Sequence, residues 1–262
     1  SSNSGFPITP GVYQTTYGGG VTDNFIARFT WSAQSITQCS DGLDNDGDTL
    51  TDYPLDPGCI NSQDSNEEDN LVGYWTFDDG TGTTANDNSG YNNDGTLNNN
   101  PTWITISSQC ISDGCISFDS TSEYVEVPST PGDELDITSS FTIALWANPR
   151  DFTSTNSRLF DKYWSDSYSF GRDWQGTPPG VLSLFTGGLP PISGGNVSIN
   201  QWSHLAGVYD GAGTTTIYIN GNVVATGSVG PNFIGNSGNV YIGNAVSLLA
   251  PYNGLLDEVR LY

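Results

Sequence analysis

The sequence has few cationic residues and a large excess of acidic ones. Its 262 residues include 6 Lys+Arg against 29 Asp+Glu, which gives a formal net charge of −23. Charged residues make up 13% of the chain, about half of the roughly 25% that is usual in soluble domains. So negative a chain argues against nucleic-acid binding through phosphate neutralisation and against attraction to an anionic membrane surface. Cations are the partners that this charge favours.

Long apolar runs, long helices and methionine are also missing. The longest apolar stretches, such as residues 143–147, are far shorter than the about 20 residues needed to cross a bilayer, so we expect no membrane insertion. No amphipathic helix of three turns is found. The absence of methionine and of a signal-like start leads us to expect a processed or excised segment.

Composition divides the chain into three regions. Residues 1–36 are rich in Gly, Thr and aromatics, and they read as a strand-turn-strand segment. Residues 37–70 are acidic, without Lys or Arg. Residues 71–262 alternate short strands with Gly, Asn, Asp and Pro clusters, a spacing typical of an all-β sandwich.

The four cysteines form two pairs that are close in sequence. Cys39 lies near Cys59, and Cys110 lies near Cys115. Such pairs suit disulfides in an oxidising compartment. We therefore expect both disulfides and an exported protein.

Residues 71–262 resemble the laminin-G-like, concanavalin A-type jelly roll. The order of the motifs carries the resemblance, and the motifs are Gly73-Tyr74-Trp75-Thr76-Phe77-Asp78, Asp87-Asn88-Ser89-Gly90, Asn93-Asp94-Gly95-Thr96-Leu97, Ser117-Phe118 with Tyr124-Val125, Phe141-Thr142-Ile143 with Trp146, Trp202 to Asp210, Tyr218-Ile219-Asn220-Gly221, Tyr241-Ile242-Gly243 and Asp257 to Tyr262. The resemblance implies a two-sheet antiparallel sandwich. Such domains are usually non-catalytic extracellular or cell-surface modules for adhesion, which bind glycans or surface proteins, often with calcium.

The acidic region resembles the calcium loops of thrombospondin type 3 repeats. Asp44, Asp46 and Asp48 alternate, and Asp52 follows four residues later. They match positions 1, 3, 5 and 9 of an EF-hand-like loop, with the Leu50 carbonyl at position 7. Position 6 is Thr49 rather than Gly, and position 12 is Leu55 rather than Glu. The residues that would close the loop instead are Asp41, Asp56, Asp64 and Glu68. We expect Ca²⁺ here; the alternative is a solvated acidic linker.

A second cation site is expected within the sandwich. Asp78, Asp87 and Asp257 fall in motifs near the first and last strands, where carboxylates from both would share one ion. The alternative is that these residues cap loops as Asx turns.

The sequence gives little support for catalysis. Laminarinase-type hydrolases of the same fold carry an E-x-D-x-E strand, which is absent here. Glu123 and Glu126 are three apart, so a strand would point them to opposite sides. The single histidine, His204, reads as a strand residue rather than a base. We expect a non-enzymatic protein.

Aromatic residues between 151 and 180 are the candidates for ligand contact, because aromatic faces stack on sugar rings and loops over a rigid sandwich often bind. These candidates are Tyr163, Trp164, Tyr168 and Trp174. The alternative is that they pack in the rim or the core.

The first region looks like a single bacterial-type β-propeller repeat, on Tyr17-Gly18-Gly19-Gly20, Asp23 and Phe25 to Phe29. One repeat cannot close a propeller. Residues 12–31 are therefore expected to pack on their own sandwich or to add strands to a neighbouring subunit. The second arrangement makes the protein a homo-oligomer or a structural subunit of an extracellular filament or surface assembly.

Overall fold

A computed structural model describes parts of the acidic region and most of the sandwich. The described residues are 37–43, 51–52, 55, 62–63, 71–119, 122–151, 156–163, 165–172, 178–188, 190–229 and 238–262. The chain divides into two units, residues 1–36 and 37–262, and every described residue belongs to the second. The expectations for the N-terminal strands therefore lie outside the described residues and stay predictions, as does the division into three regions.

The described residues form sixteen β-strands and two short 3₁₀ turns. The turns are Gln38–Ser40 and Ser107–Gln109. The first eight strands are β1 (Gly73–Trp75), β2 (Thr84–Ala85), β3 (Gly95–Asn98), β4 (Thr102–Ile104), β5 (Cys115–Asp119), β6 (Tyr124–Val127), β7 (Phe141–Pro149) and β8 (Ser157–Asp161). The others are β9 (Tyr168–Arg172), β10 (Leu182–Thr186), β11 (Ile192–Gly194), β12 (Ser203–Tyr209), β13 (Thr214–Ile219), β14 (Asn222–Ser228), β15 (Val240–Ile242) and β16 (Asn253–Leu261).

These strands make two antiparallel sheets of a jelly-roll sandwich. The front sheet has the order β14-β13-β12-β7-β16-β5-β4, with β1 also paired to β16. The back sheet has the order β11-β10-β9-β8-β15-β6-β3-β2. The expected all-β jelly roll is confirmed. In the part of the chain that the structure describes, no helix has the length and apolar character to cross a membrane.

The core lies between the two sheets, because alternate residues of each strand point inward. Strand β7 shows the pattern: Phe141, Ile143 and Leu145 are buried, whereas Thr142 and Trp146 are partly exposed. On the facing side, Phe160 and Phe170 of the back sheet are fully buried. Burying each such side chain contributes about 1.5–3 kcal/mol.

Two local features shape the front sheet. Asn220 and Gly221 both have positive φ, 51° and 75°, as a type I′ turn requires, so the expected hairpin joins β13 to β14. In β16 the register shifts between Asp257 and Arg260, and Glu258 has a φ of 53°. This irregularity is a β-bulge, and bulges re-aim side chains at functional edges.

One predicted disulfide is fully described. Cys110 and Cys115 are bonded, with a Cα–Cα distance of 5.5 Å. Cys39 is also disulfide-bonded, but its predicted partner Cys59 lies outside the described residues. The Cys110–Cys115 bond ties down the segment 107–114 that leads from β4 into β5, which we call the disulfide loop.

Candidate functional site

The outward-facing residues of the front sheet form one continuous cross-strand row. Tyr74 pairs with Arg260, and Arg260 pairs with Ala144. Ala144 pairs with Ala206, and Ala206 pairs with Tyr218. The row therefore crosses four strand spacings, about 19 Å in all. Its third and fourth positions carry alanine, the smallest side chain of the row.

A second row runs beside the first. Trp146 pairs with His204 across β7 and β12, and the two rings meet edge to face with centroids 5.3 Å apart. The backbone of His204 is held by Asn220, whose side-chain oxygen accepts the His204 N–H at 2.9 Å. These rings are thus set by the sheet register and by a hairpin turn rather than by mobile loops.

Because the small side chains of Ala144 and Ala206 lie between larger ones, the two rows outline a shallow depression, which we call the front-sheet trough. Its members are Tyr74, Ala144, Trp146, His204, Ala206, Tyr218, Glu258 and Arg260. The alanines are its floor, and Ala144 is only 9% exposed. The larger side chains around them are partly exposed, so they form the walls.

The disulfide loop closes one end of the trough. The indole N–H of Trp202 donates to the carbonyl of Gln109 at 2.9 Å. The backbone N–H groups of Ile111 and Ser112 donate to the Asp257 carboxylate at 2.7 and 3.2 Å. Since Trp202 and Asp257 belong to the front sheet or its edge, the loop is tied to the sheet at two points.

Two rings of the trough have nitrogen atoms without a hydrogen-bond partner in the described part of the chain. Among the described tryptophans, Trp75, Trp103 and Trp202 each donate their indole N–H to a backbone carbonyl. Trp146 makes no such bond within the described residues. The imidazole of His204 likewise has no hydrogen-bond partner in the described part of the chain. A trough with flat rings and unused donors suits a ligand rich in both C–H faces and hydroxyls.

The charged wall of the trough is a compact cluster. The Arg260 guanidinium lies 4.1 Å from the Tyr74 ring centroid, and its Nη2 donates to Glu258 at 2.5 Å and to the Tyr74 hydroxyl at 2.7 Å. The Tyr74 hydroxyl donates to Glu258 at 2.6 Å. Burial and the neighbouring Glu258 raise the pKa of Tyr74. Burial, with a smaller effect of Arg260, lowers the pKa of His204, so the imidazole is neutral at pH 7.

The four aromatic residues that the sequence predicts as ligand contacts differ in where they lie. Tyr163 is 40% exposed and lies between β8 and β9. The prediction for Tyr168 is wrong: its side chain is fully buried, its ring centroid is 5.2 Å from Phe141, and its hydroxyl donates to the Leu135 carbonyl at 2.9 Å. Trp164 and Trp174 lie outside the described residues.

A small cleft opens between the two sheets near β8 and β9. Its lining includes Asp151, Ser157, Arg172, Val197 and Tyr252. The cavity holds about 30 Å³, whereas pockets for small molecules measure roughly 300–1,000 Å³. This cleft admits water but no sugar ring, so the trough is the better candidate.

The predicted second cation site is only partly assembled. Asp78 and Asp257 converge on Ser112, whose Oγ lies 3.1 Å from the first carboxylate and 3.0 Å from the second. Asp87 does not join them. Its carboxylate accepts bonds from the backbone N–H groups of Tyr74, Ser89 and Asn93, and the bond to Ser89 makes the Asx turn that was the alternative.

The oxygen atoms around Ser112 are of the kind that Ca²⁺ prefers. Both carboxylates, however, already accept backbone N–H groups, with Gly114 donating to Asp78 at 2.5 Å. Among the described residues, the one cluster of three metal-type ligands is Cys110, Cys115 and Asp257. Its cysteines are joined in a disulfide and supply no thiolate.

The acidic loop is described at its two ends. The Asp52 carboxylate accepts the Gly42 N–H at 2.8 Å, ten residues earlier, and Asp41 accepts the Leu43 N–H at 2.9 Å. Asp52 is thus hydrogen-bonded to the backbone of the residue that follows Asp41. The other predicted ligands, Asp44, Asp46, Asp48, Leu50, Asp56 and Asp64, lie outside the described residues.

The two sheets define a concanavalin A-type jelly-roll sandwich, and the family comparison agrees. Residues 119–262 match the Laminin_G_3 family model, described as the concanavalin A-like lectin/glucanases superfamily. The match covers just over half of the chain. The chain therefore belongs to this superfamily. No curated protein matches it.

The fold is also similar to that of several solved domains. Domain 4 of AbnA, an extracellular GH43 arabinanase from Geobacillus stearothermophilus solved with arabinotriose, gives a TM-score of 0.54 at 21% identity, covering 73% of this chain and 91% of that one. The binding domain of botulinum neurotoxin DC with SialylT gives 0.55 at 16%, covering 74% and 48%. The same domain with rat synaptotagmin II gives 0.56 at 17%, again covering 74% and 48%. This chain spans about half the length of the toxin domains, and these identities show the fold alone.

Proposed function

We propose that this protein is a non-catalytic carbohydrate-binding module that works outside the cell. The front-sheet trough carries the proposal. Its small floor between aromatic rings matches the apolar face of a sugar, and its unused donors match sugar hydroxyls. A length of about 19 Å accommodates an oligosaccharide rather than a single ring.

The similar structures support this reading. Domain 4 of AbnA was solved with arabinotriose, and the neurotoxin binding domain with SialylT. The same neurotoxin domain also binds a protein, rat synaptotagmin II, so a surface protein is a second class of partner. The Cys110–Cys115 disulfide fits an oxidising, extracellular setting.

Glu123 and Glu126 each make hydrogen bonds that hold their own part of the sandwich. Glu123 accepts the Asp119 backbone N–H at 2.6 Å. Glu126 accepts bonds from the Asn239 side chain and the Tyr241 hydroxyl. A glycosidase needs two carboxyl groups aimed at one bond, so the separate bonds of this glutamate pair favour binding over catalysis.

Calcium is proposed as the stabilising cation of the acidic loop. The loop ends already meet, because Asp52 bonds to the backbone beside Asp41. The alternating aspartates between them would supply further oxygens. Asp78 and Asp257 are the candidates for a second ion, with the Ser112 hydroxyl between them.

A glycan array with three variants tests the function and its site. Trp146→Ala and Tyr218→Ala each remove one ring from the trough, and we expect each to weaken binding at least about tenfold, equal to about 1.4 kcal/mol. Tyr163→Ala is the matched control, since this exposed aromatic lies between other strands. Binding that is lost in Tyr163→Ala and kept in both trough variants would move the site to the β8–β9 loop. The absence of any bound glycan by the folded protein would refute the function.

A further inference from the structure

The cations of the described sandwich are unevenly placed. Arg158 and Lys162 are 2% and 0% exposed, and Lys162 pairs with Asp136 at 3.0 Å. Arg150 donates to Ser117 and to the Phe118 carbonyl, and Arg172 lies on β9 of the back sheet. Among the described residues, Arg260 is therefore the single cation of the trough.

That cation is already neutralised. Arg260 and Glu258 form an ion pair at 2.5 Å, and both are partly exposed. The neutral imidazole of His204 adds no charge. The trough has a net charge near zero, on a chain whose formal net charge is −23. A carboxylate or sulfate on a ligand would have to compete with Glu258 for Arg260, and it would meet the field of the whole chain.

The same pair is well suited to uncharged hydroxyls. Among the described residues, Nη2 of Arg260 makes both of its side-chain hydrogen bonds, which leaves Nε and Nη1 as donors. The Glu258 carboxylate lies beside them as an acceptor. A donor and an acceptor side by side match two neighbouring hydroxyls of one sugar ring.

We propose that the front-sheet trough selects uncharged oligosaccharides and discriminates against chains that carry sialic acid, uronic acid or sulfate groups. This inference rests on the proposed glycan-binding function. Repulsion by one like charge about 6 Å away in water weakens binding by about threefold, and this sets the scale for the field of a chain whose formal net charge is −23. We therefore expect a neutral glycan to bind at least about threefold more tightly than its singly acidic counterpart.

The test uses the full chain on an array that pairs neutral oligosaccharides with their sialylated, uronate-containing and sulfated counterparts, such as lactose with 3′-sialyllactose. At 20 mM NaCl we expect the neutral member of each pair to bind more tightly. At 1 M NaCl, where the Debye length is about 3 Å, the difference in affinity between the two members should be smaller. Glu258→Gln leaves the charge of Arg260 unbalanced, so at low salt it should reduce the ratio of neutral to acidic affinity by about threefold.

Two results separate failure of this inference from failure of the function. Equal or tighter binding of the acidic members at low salt, still lost in Trp146→Ala, would overturn the selectivity and leave glycan binding in place. An array on which the folded protein binds nothing would overturn both.

Discussion

Replacing Tyr168 by phenylalanine tests whether this ring belongs to the core or to a ligand site. The change removes the hydroxyl that donates to the Leu135 carbonyl at 2.9 Å and leaves the ring in place. The hydroxyl stays protonated at any working pH, because burial raises the pKa of Tyr168. A lost hydrogen bond costs about 0.5–1.5 kcal/mol, and a buried carbonyl left without a partner costs about 1–3 kcal/mol. We expect a loss of about 2 kcal/mol in the free energy of unfolding.

Thermal and urea unfolding measure this loss. For a domain of this size, about 2 kcal/mol lowers Tm by about 4–8 °C. The control is Tyr241→Phe, whose hydroxyl bonds to Glu126 at 3.1 Å at a partly exposed position where water replaces it. That variant should lose less than about 1 kcal/mol. If Tyr168→Phe keeps its stability within about 0.5 kcal/mol and loses glycan affinity, the core assignment is refuted.

Three further predictions concern the disulfide loop, a buried carboxyl and calcium. Replacing Cys110 and Cys115 by serine should lower the free energy of unfolding by about 2 kcal/mol through loop entropy. It should also weaken glycan binding, because the disulfide loop closes one end of the trough. An unchanged urea midpoint and an unchanged affinity would contradict this prediction. Burial raises the pKa of Asp161 above its usual 3.8, so the folded state holds its proton more tightly, and stability should fall as pH rises from about 4 through the raised pKa. Asp161→Asn should lack this fall, and parallel pH profiles of the two proteins would argue against it. Chelation should lower Tm, since calcium at 100 times its Kd adds about 2.7 kcal/mol to the free energy of unfolding. If the chelator leaves Tm unchanged, and Asp46→Asn has the same Tm as the unchanged protein, the acidic loop binds no structural metal.

The fold could be predicted from sequence because its signals are local. Alternating residues in β7 and the Asn220-Gly221 turn specify strands and a hairpin, and both are present. The Cys110–Cys115 pairing follows from a short spacing. These features depend on neighbours within a few residues, which one sequence displays directly.

The site could not be predicted because it depends on strand order. Tyr74 and Arg260 are 186 residues apart, and only the pairing of β1 with β16 brings them together. Each trough residue lies on the outward side of its own strand, which the alternation does show. Which outward residues become neighbours is set by the order of the strands, and Tyr168 was misjudged because its inward direction is fixed by packing against Phe141.

The two outer faces of the sandwich differ in a way that favours the front sheet for ligand binding. On the back sheet, Asp161 pairs with Ser169, and Ser169 pairs with Phe185. All three are outward-facing, yet they are at most 4% exposed, and Arg158, whose guanidinium lies 4.2 Å from the Phe185 ring centroid, is 2% exposed. These side chains therefore offer a ligand almost no accessible surface. The front row from Tyr74 to Tyr218 keeps its large side chains partly exposed, so of these two rows the front one is open to an oligosaccharide.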